Sequence, residues 1–337
     1  MYFYYLLKKY IFNFLILFFG LSFLFVVVDY TLNFSKLPSY ANLQILYIVY
    51  TFVYAAFMLY PLSFVFGFLL TLLGMIKSNE LVSFYSLGFS PKKLFKPFLF
   101  VSFGVTLVMF LLQSTKVAYV NQYAQAIKAH MKYSNKDLFL KFNNYVVYIK
   151  ELNPILKIAK EMIVFDVDKF EVKRVFFLDK AVFRNDIWIG DAKEVVLTPN
   201  KWIFEKKKVS LLEHFKPKII SNLKKLDNIS FYDAYLSIKY FKEIDLNRIL
   251  SIVFFKIVTP LSLIFFMGIL FYKTPIHSRI SNIPAFMIKS ILLTIALWGS
   301  ELIIYKFAKQ GVLPYYLLWL PFVVVLILYF YVRRDND

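Results

Sequence analysis

Long runs of apolar residues alternate with short polar stretches over most of this chain. The runs cover about residues 10–30, 43–76, 96–112, 249–271, 283–305 and 313–332. A helix needs about 20 mostly apolar residues to cross the hydrocarbon core of a bilayer. The pattern therefore predicts six transmembrane helices, three before residue 116 and three after residue 248.

The region between these two groups of helices has a different pattern. Apolar and polar residues alternate with period two in short segments of residues 138–214, among them LFLKF, YVVYIK, MIVFDVD, VKRVFFL, IWIG, EVVLT and KVSLL. Short alternating segments separated by turn residues are typical of a β-sandwich or jelly roll. The predicted fold is an α-helical membrane protein with six transmembrane helices and an inserted all-β, jelly-roll-like domain. The predicted domains are residues 1–115, 116–248 and 249–337.

Composition supports a membrane protein and excludes some chemistry. The chain is 60% apolar with a mean hydropathy of +0.61, above the usual range of soluble proteins. It has no cysteine, so it forms no disulfide and no thiolate metal site. Its three histidines, His130, His214 and His277, are far apart in sequence, which argues against a metal site or histidine-based catalysis.

The distribution of basic residues predicts the orientation in the membrane. Cytoplasmic segments next to membrane helices carry an excess of Lys and Arg. The termini and the loops on their side carry eleven such residues, and the opposite short loops carry three, which are Lys36, Lys306 and Lys309. Both termini are therefore expected in the cytoplasm, and the β domain on the far side, in the periplasm of a two-membrane bacterium.

The polar stretch between the second and third apolar runs predicts a short helix. Asn79 is a candidate N-cap, and Glu80 follows in the first turn, where the helix dipole favours an acid. Leu81, Phe84 and Tyr85 share one face of this helix. The stretch is expected to present one carboxylate and two aromatic rings to the cytoplasm, as a docking element or as an amphipathic connector at the membrane surface.

The end of this stretch also has clear signals. Gly88 can end the helix in a left-handed conformation, and Ser90-Pro91 is typical of the N-cap and first residue of the next helix. The three lysines that follow, at positions 92, 93 and 96, are expected at the membrane surface. The predicted helix covers about residues 78–90.

These residues resemble a known family. The segment from Ser78-Asn79-Glu80-Leu81 through Gly88-Phe89-Ser90-Pro91 to Pro97 is similar to the most recognisable motif of the LptF/LptG (YjgP/YjgQ) permeases of lipopolysaccharide export. The order of three spans, β domain and three spans resembles the same family, and LYPLSFVFGFLLTLLGMIKSNELV resembles LptG more than LptF. The resemblance implies that Glu80, with Leu81, Phe84, Tyr85 and Gly88, lies on a coupling helix that contacts an LptB-like ATPase dimer.

The resemblance also implies a function and partners. The chain would be a non-enzymatic permease subunit in the bacterial inner membrane, working with a second LptF/LptG-like permease and LptC-like and LptA-like bridge proteins. It has no G-x-x-x-x-G-K-[ST] motif, so ATP would be used by the ATPase and no cofactor is expected in this chain. The alternative is a mechanotransmission or scaffold protein that drives a periplasmic domain and passes no substrate. No motif supports nucleic-acid binding.

Four basic residues near the periplasmic ends of the spans are candidate ligands of lipid phosphates: Lys36, Arg248, Lys256 and Lys306. Lysines and arginines bind phosphate through charge-assisted hydrogen bonds. Lys256 lies inside a span, where it is either functional or extends to the interface. Asp29 and Glu301 are expected to pair with these lysines or to reach water.

The β domain has apolar positions that either line an acyl-chain groove or form an ordinary sandwich core. By resemblance, the domain passes the lipid to the periplasmic bridge. The alternation predicts the following inward positions: Val146, Ile149, Val164, Phe176, Val182, Ile187 and Val195. A core and a groove require the same alternation, so both interpretations stay open.

Overall fold

The computed structural model describes residues 2–128, 135–142, 144–153, 157–168, 171–198, 201–213, 215–217, 228–240, 245–276 and 282–334. In these residues, six helical segments are long and apolar enough to cross a membrane. They are α1 (Tyr2–Asn33), α2 (Ala41–Lys77), α4 (Pro91–Gln113), α7 (Leu246–Tyr272), α8 (Ile283–Lys309) and a 3-10 turn (Tyr315–Leu318) continuing into α9 (Trp319–Arg334). The prediction of six apolar helices is confirmed.

The first helix begins earlier than predicted. It starts at Tyr2, so Lys8 and Lys9 lie within its first turns. The long lysine side chains can reach past the apolar surface from there. Helices α2 and α7 continue through Pro61 and Pro260, as packed membrane helices can.

Among the described residues, three shorter helices lie at the two ends of this bundle. Helix α3 (Glu80–Ser86) follows α2 on one side. On the other side, α5 (Val120–Lys128) precedes the β domain and α6 (Phe231–Tyr240) follows it. We call residues 228–233, which are the three residues before α6 and its first three residues, the joint.

One hydrophobic core fills the half of the bundle next to α3. It contains the first half of α1, the second half of α2, the first half of α4 and the last parts of α7 and α9. Two glycines allow close packing there. A Cβ atom at Gly67 would lie 2.8 Å from the Phe14 Cα atom, and one at Gly268 would lie 2.4 Å from the Tyr329 ring. The backbones of α1 and α2 therefore touch at Gly67.

The inserted domain is an antiparallel six-stranded sheet in the order β1-β2-β3-β4-β5-β6. The strands are β1 (Asn135–Phe142), β2 (Tyr145–Asn153), β3 (Ile158–Asp168), β4 (Glu171–Arg184), β5 (Ile187–Thr198) and β6 (Lys201–Leu211). The expectation of an inserted β domain is confirmed, but the described strands follow a meander and not the Greek-key order of a jelly roll. The segments IWIG and EVVLT form one strand, because Asp191–Lys193 stay paired with β6.

The predicted inward positions of the sheet divide between its two faces. Ile149, Val164 and Phe176 belong to the core cluster around Trp188. A second row, on the opposite face, runs through the paired residues Val146, Phe165, Val175 and Val195. Val182 and Ile187 also lie opposite the core, because their chain neighbours Ala181, Phe183 and Trp188 belong to it. The prediction that all seven positions face the same side of the sheet was wrong. Three of them belong to the core, and four lie on the opposite face.

Candidate functional site

A cavity of about 810 Å³ lies between α2, α7 and α8, in the half of the bundle next to the β domain. It extends from Pro61 and Pro260, inside their helices, to the ends of the helices at Arg248 and Lys306. Its outer end also includes Asn121 of α5. The cavity therefore connects the middle of the bundle with the segments that lead to the β domain.

The structure brings three of the four predicted cations together here. Arg248, Lys256 and Lys306 line the cavity with Lys309, and the lining contains one carboxylate, Asp245. Asp245 caps α7 by accepting a hydrogen bond from the Arg248 backbone at 3.1 Å. The fourth predicted residue, Lys36, lies apart, exposed on the 3-10 turn Phe34–Lys36. The balance of charge in the cavity favours an anionic ligand.

A single asparagine fixes the relative position of these cations. The Asn247 side chain donates to the backbone oxygens of Ala308 at 2.9 Å and Leu313 at 3.0 Å. It also accepts from the Tyr315 backbone at 2.8 Å. The start of α7 is thereby held against the end of α8, and Arg248 faces the same cavity as Lys306.

The rest of the cavity lining is mostly apolar. Its aromatic and aliphatic members are Tyr54, Phe57, Met58, Tyr60, Ile252, Phe255, Leu302 and Tyr305. A surface that combines cations with aromatic and aliphatic side chains is suited to an amphiphile with an anionic headgroup and acyl chains. The arrangement can bind such a molecule, and among its lining residues we find no nucleophile-base pair.

Lys256 has two roles in this structure. It lines the cavity, and its ammonium group donates a 2.7 Å hydrogen bond to the backbone oxygen of Ile229 in the joint. The same ammonium lies 5.5 Å from the centroid of the Phe231 ring, within the range of a cation–π contact. Lys256 thus connects the cavity wall with the joint.

The two predicted acid partners, Asp29 and Glu301, have different surroundings. Asp29 accepts hydrogen bonds from Tyr47 and Asn33. Glu301 is 0% exposed, and neither of its carboxyl oxygens has a hydrogen-bond partner in the described part of the chain. The expectation that these acids pair with lysines or reach water was wrong for Glu301, because the packing of α8 buries this side chain completely.

The short helix α3 (Glu80–Ser86) is shorter than the predicted range of about 78–90 and has a different orientation. Asn79 precedes it in a left-handed conformation, and its side chain makes no capping hydrogen bond. Gly88 has φ +80°, and the amides of Gly88 and Phe89 donate to the Tyr85 and Phe84 oxygens, which is a Schellman ending. Leu81 is 1% exposed, and Phe84 and Tyr85 pack against the transmembrane core. The expectation that both rings face the cytoplasm was wrong, because the apolar face of α3 is covered by the bundle.

Glu80 forms an ion pair that sequence reasoning missed. Lys9 Nζ lies 2.7 Å from both carboxyl oxygens, and Ser78 Oγ donates to one of them at 2.7 Å. Partial burial raises the pKa of Glu80, but the hydrogen bonds from Lys9 and Ser78 outweigh burial and hold that pKa below its usual range. The sequence contains one signal for this ion pair: Lys9 and Glu80 were both expected at the cytoplasmic surface.

Metal binding finds no support in the described ranges. They contain no group of three or more His, Cys, Asp or Glu that could hold a metal ion. His130, His214 and His277 lie outside the described residues.

Comparison with known proteins agrees with this architecture. The family model described as lipopolysaccharide export system permease LptF/LptG matches residues 4–334 of the 337. No curated relative matches the chain. The match includes all six apolar helices and the β domain between them, and does not distinguish LptF from LptG. The chain is therefore a multi-pass membrane protein that belongs to the LptF/LptG family of lipopolysaccharide export permeases.

Proposed function

We propose that this chain is one half of a two-permease transporter that takes lipopolysaccharide from the inner membrane and passes it to a periplasmic bridge. The observation that supports this proposal is the cavity, where Arg248, Lys256 and Lys306 lie beside an apolar lining. Lipid phosphates pair with the cations through charge-assisted hydrogen bonds, and acyl chains occupy the apolar part. The β domain receives the lipid at the outer end of the cavity.

A separate LptB-like ATPase dimer supplies the energy at α3. This helix lies at the opposite end of the bundle from the cavity, on the side of the termini. ATP binding and hydrolysis move α3, and the movement changes the shape of the cavity. Transport requires that the open cavity binds the lipid more tightly than the closed one. Both termini are cytoplasmic in this arrangement and the β domain is periplasmic.

The second permease covers apolar helix faces of this chain. In the most hydrophobic windows of α1 and α8, only 17% of the residues are buried within the chain. A second LptF/LptG-like subunit against these faces would close the lipid path laterally. LptC-like and LptA-like proteins continue that path from the β domain.

The test is retention and transfer of lipopolysaccharide by the purified complex. We expect the double substitution Arg248→Met and Lys306→Met to lower lipid retention by roughly tenfold or more, because hydrogen bonds to charged groups contribute about 1.5–3 kcal/mol each. Quantification of co-purified lipid and of ATP-dependent transfer to the bridge protein measures the effect.

Lys289→Met is the matched control, because Lys289 is an exposed lysine on the same helix α8 that does not line the cavity. It should retain the lipid like the unmodified chain. Unchanged retention in the double variant would contradict the cavity as the lipid site. ATP hydrolysis without any bound lipid would support the mechanotransmission alternative.

A further inference from the structure

The joint is attached to the transmembrane bundle through α7 and α4. The Lys256 ammonium of α7 donates a 2.7 Å hydrogen bond to the backbone oxygen of Ile229, which is 1% exposed, and lies 5.5 Å from the centroid of the Phe231 ring. The Phe231 ring also contacts Phe110 near the end of α4, with ring centroids 4.3 Å apart. Two spans therefore hold this short segment, and one of the two attachments is a side chain of the cavity wall.

The joint is also attached to the β domain. The Asp233 carboxylate accepts a 2.6 Å hydrogen bond from the Tyr119 hydroxyl and lies 3.5 Å from Lys216 Nζ. Lys216 follows Phe215, whose backbone oxygen accepts a 2.6 Å hydrogen bond from the Trp188 indole in the core of the sheet. A short series of contacts thus leads from the joint to the sheet core.

Tyr119 connects the two ends of the joint. Its buried hydroxyl accepts a hydrogen bond from the Ser230 backbone at 3.4 Å, in addition to the one that it donates to Asp233. The Asp233 backbone in turn donates to Ser230 Oγ at 3.0 Å. Ser230 is the chain neighbour of Ile229, which Lys256 holds. The contact with the bundle and the contact with the β domain are therefore linked through this tyrosine.

The Lys256 ammonium has donors left for a second partner. An ammonium group has three donors and no acceptor, and one of them binds the Ile229 oxygen. The carboxylate among the lining residues, Asp245, caps the start of α7, about 16 Å away along the helix at a rise of about 1.5 Å per residue. Lys256 forms no ion pair within the described ranges. An anion that enters the cavity can therefore pair with it through a charge-assisted hydrogen bond while the bond to the joint persists.

We propose that Lys256 couples the cavity to the β domain by binding a phosphate of the lipid and the Ile229 oxygen at the same time. A loaded cavity then fixes the joint and, through Tyr119, Asp233 and Lys216, the β domain that receives the lipid. This inference rests on the proposed function, because it places the lipid in the cavity, and adds that the bound lipid fixes the position of the β domain. Coupling between two sites is reciprocal, so a change that loosens the joint must weaken lipid binding by the same factor.

Hydrogen exchange tests the direct effect of the lipid on the joint. The complete complex, with ATPase and second permease in phosphatidylethanolamine nanodiscs, is loaded with rough-type lipopolysaccharide or with the same lipid after removal of its phosphates, and bound lipid is quantified. We expect the phosphorylated lipid to slow exchange of the joint amides by roughly tenfold. The dephosphorylated lipid has no anion for Lys256, and inorganic phosphate alone has no acyl chains for the apolar lining, so neither should slow it. Lys256→Met, loaded to the same level, should lose the slowing, and the control Lys289→Met should keep it.

Reciprocity gives a second test at a residue outside the cavity lining. Tyr119→Phe removes only the hydroxyl that links Ser230 with Asp233, and we expect lipid retention to fall roughly fivefold. Tyr235→Phe is the matched control, because Tyr235 is a 60% exposed tyrosine of α6 that does not line the cavity. It should retain the lipid like the unmodified chain.

The outcomes separate this coupling from the proposed function. The coupling is overturned if joint exchange is unchanged in a complex that contains the phosphorylated lipid, or if Tyr119→Phe retains the lipid normally. Slowing that persists in Lys256→Met, or that the dephosphorylated lipid or inorganic phosphate alone produces, overturns it as well. If the unmodified complex retains no lipopolysaccharide, the proposed function itself fails.

Discussion

Next to α3 the helix bundle is filled by aromatic and aliphatic side chains, whereas next to the β domain α2, α7 and α8 surround a cavity of about 810 Å³. In the filled half, Phe68 and Phe98 pack with ring centroids 5.1 Å apart, and Phe95 and Phe271 at 5.2 Å. One end of the bundle, the filled half, is thus one continuous core, and the other end, which we call the hollow half, has smaller apolar clusters around the cavity. Movement at the hollow end requires less repacking.

Buried polar atoms with and without hydrogen-bond partners are unevenly distributed over the bundle. In the filled half, the Tyr10 hydroxyl lies 2.9 Å from Ser102 Oγ and donates to the Phe64 oxygen at 3.3 Å. In the half next to the β domain, Arg248 Nε and the Glu301 carboxyl oxygens have no hydrogen-bond partner within the described ranges. Such groups are costly to bury unless a ligand, a second subunit or a rearrangement satisfies them. Trp298 Nε1, which packs beside the filled half, also lacks a partner in the described ranges, so unsatisfied groups lie in the hollow half and at its border with the filled half.

The largest expected effect is on the filled half. Gly67→Ala places a Cβ atom 2.8 Å from the Phe14 Cα atom, so α1 must shift away from α2. Overpacking of a dense core costs about 1–3 kcal/mol, and we expect the upper part of this range because the obstacle is backbone. Denaturant unfolding in detergent measures the change.

Gly20→Ala is the matched control, because a Cβ atom there has no atom within 4 Å. It should stabilise the helix by about 0.5–1 kcal/mol. Equal behaviour of the two variants would show that α1 and α2 are not tightly packed at Gly67.

An intermediate effect is expected at the joint between the hollow half and the β domain. Lys256→Met removes the donor to the Ile229 oxygen, and Ile229 is 1% exposed. A buried acceptor that loses its partner costs about 1–3 kcal/mol. We expect faster hydrogen exchange of the joint amides, measured without lipid, whereas Lys289→Met should leave that exchange unchanged. If the joint amides of Lys256→Met exchange as slowly as those of the unmodified chain, Lys256 does not stabilise the joint.

Part of this arrangement follows from local sequence. Hydropathy predicts the six spans, because a helix that crosses lipid must present apolar side chains and satisfy its backbone hydrogen bonds internally. The end of α3 is predicted by Gly88, since a left-handed residue there favours glycine. These features depend on a few neighbouring residues and need no knowledge of tertiary contacts.

The contacts between distant residues could not be predicted. Lys9 and Glu80 are 71 positions apart, and charge counting places them only on the same side of the membrane. Glu301 lies on α8, whose apolar residues are spread over all sides of the helix. The sequence pattern therefore does not show which face of α8 turns inward. Arg248 and Lys306 were predicted near the same surface, but their common cavity depends on how α7 and α8 pack.

The smallest change in stability is expected from filling the hollow half. Leu302→Trp adds a large ring to the cavity wall between α2, α7 and α8. Because space is available there, we expect the free energy of unfolding to change by less than about 1 kcal/mol, in contrast to overpacking of a dense core. Under the proposed function, lipid retention should fall severalfold, since the ring occupies volume that the proposal assigns to acyl chains. Both quantities are measured in the detergent preparations used for Gly67→Ala. If Leu302→Trp destabilises the chain as much as Gly67→Ala does, the two halves are equally packed and the contrast between them is wrong.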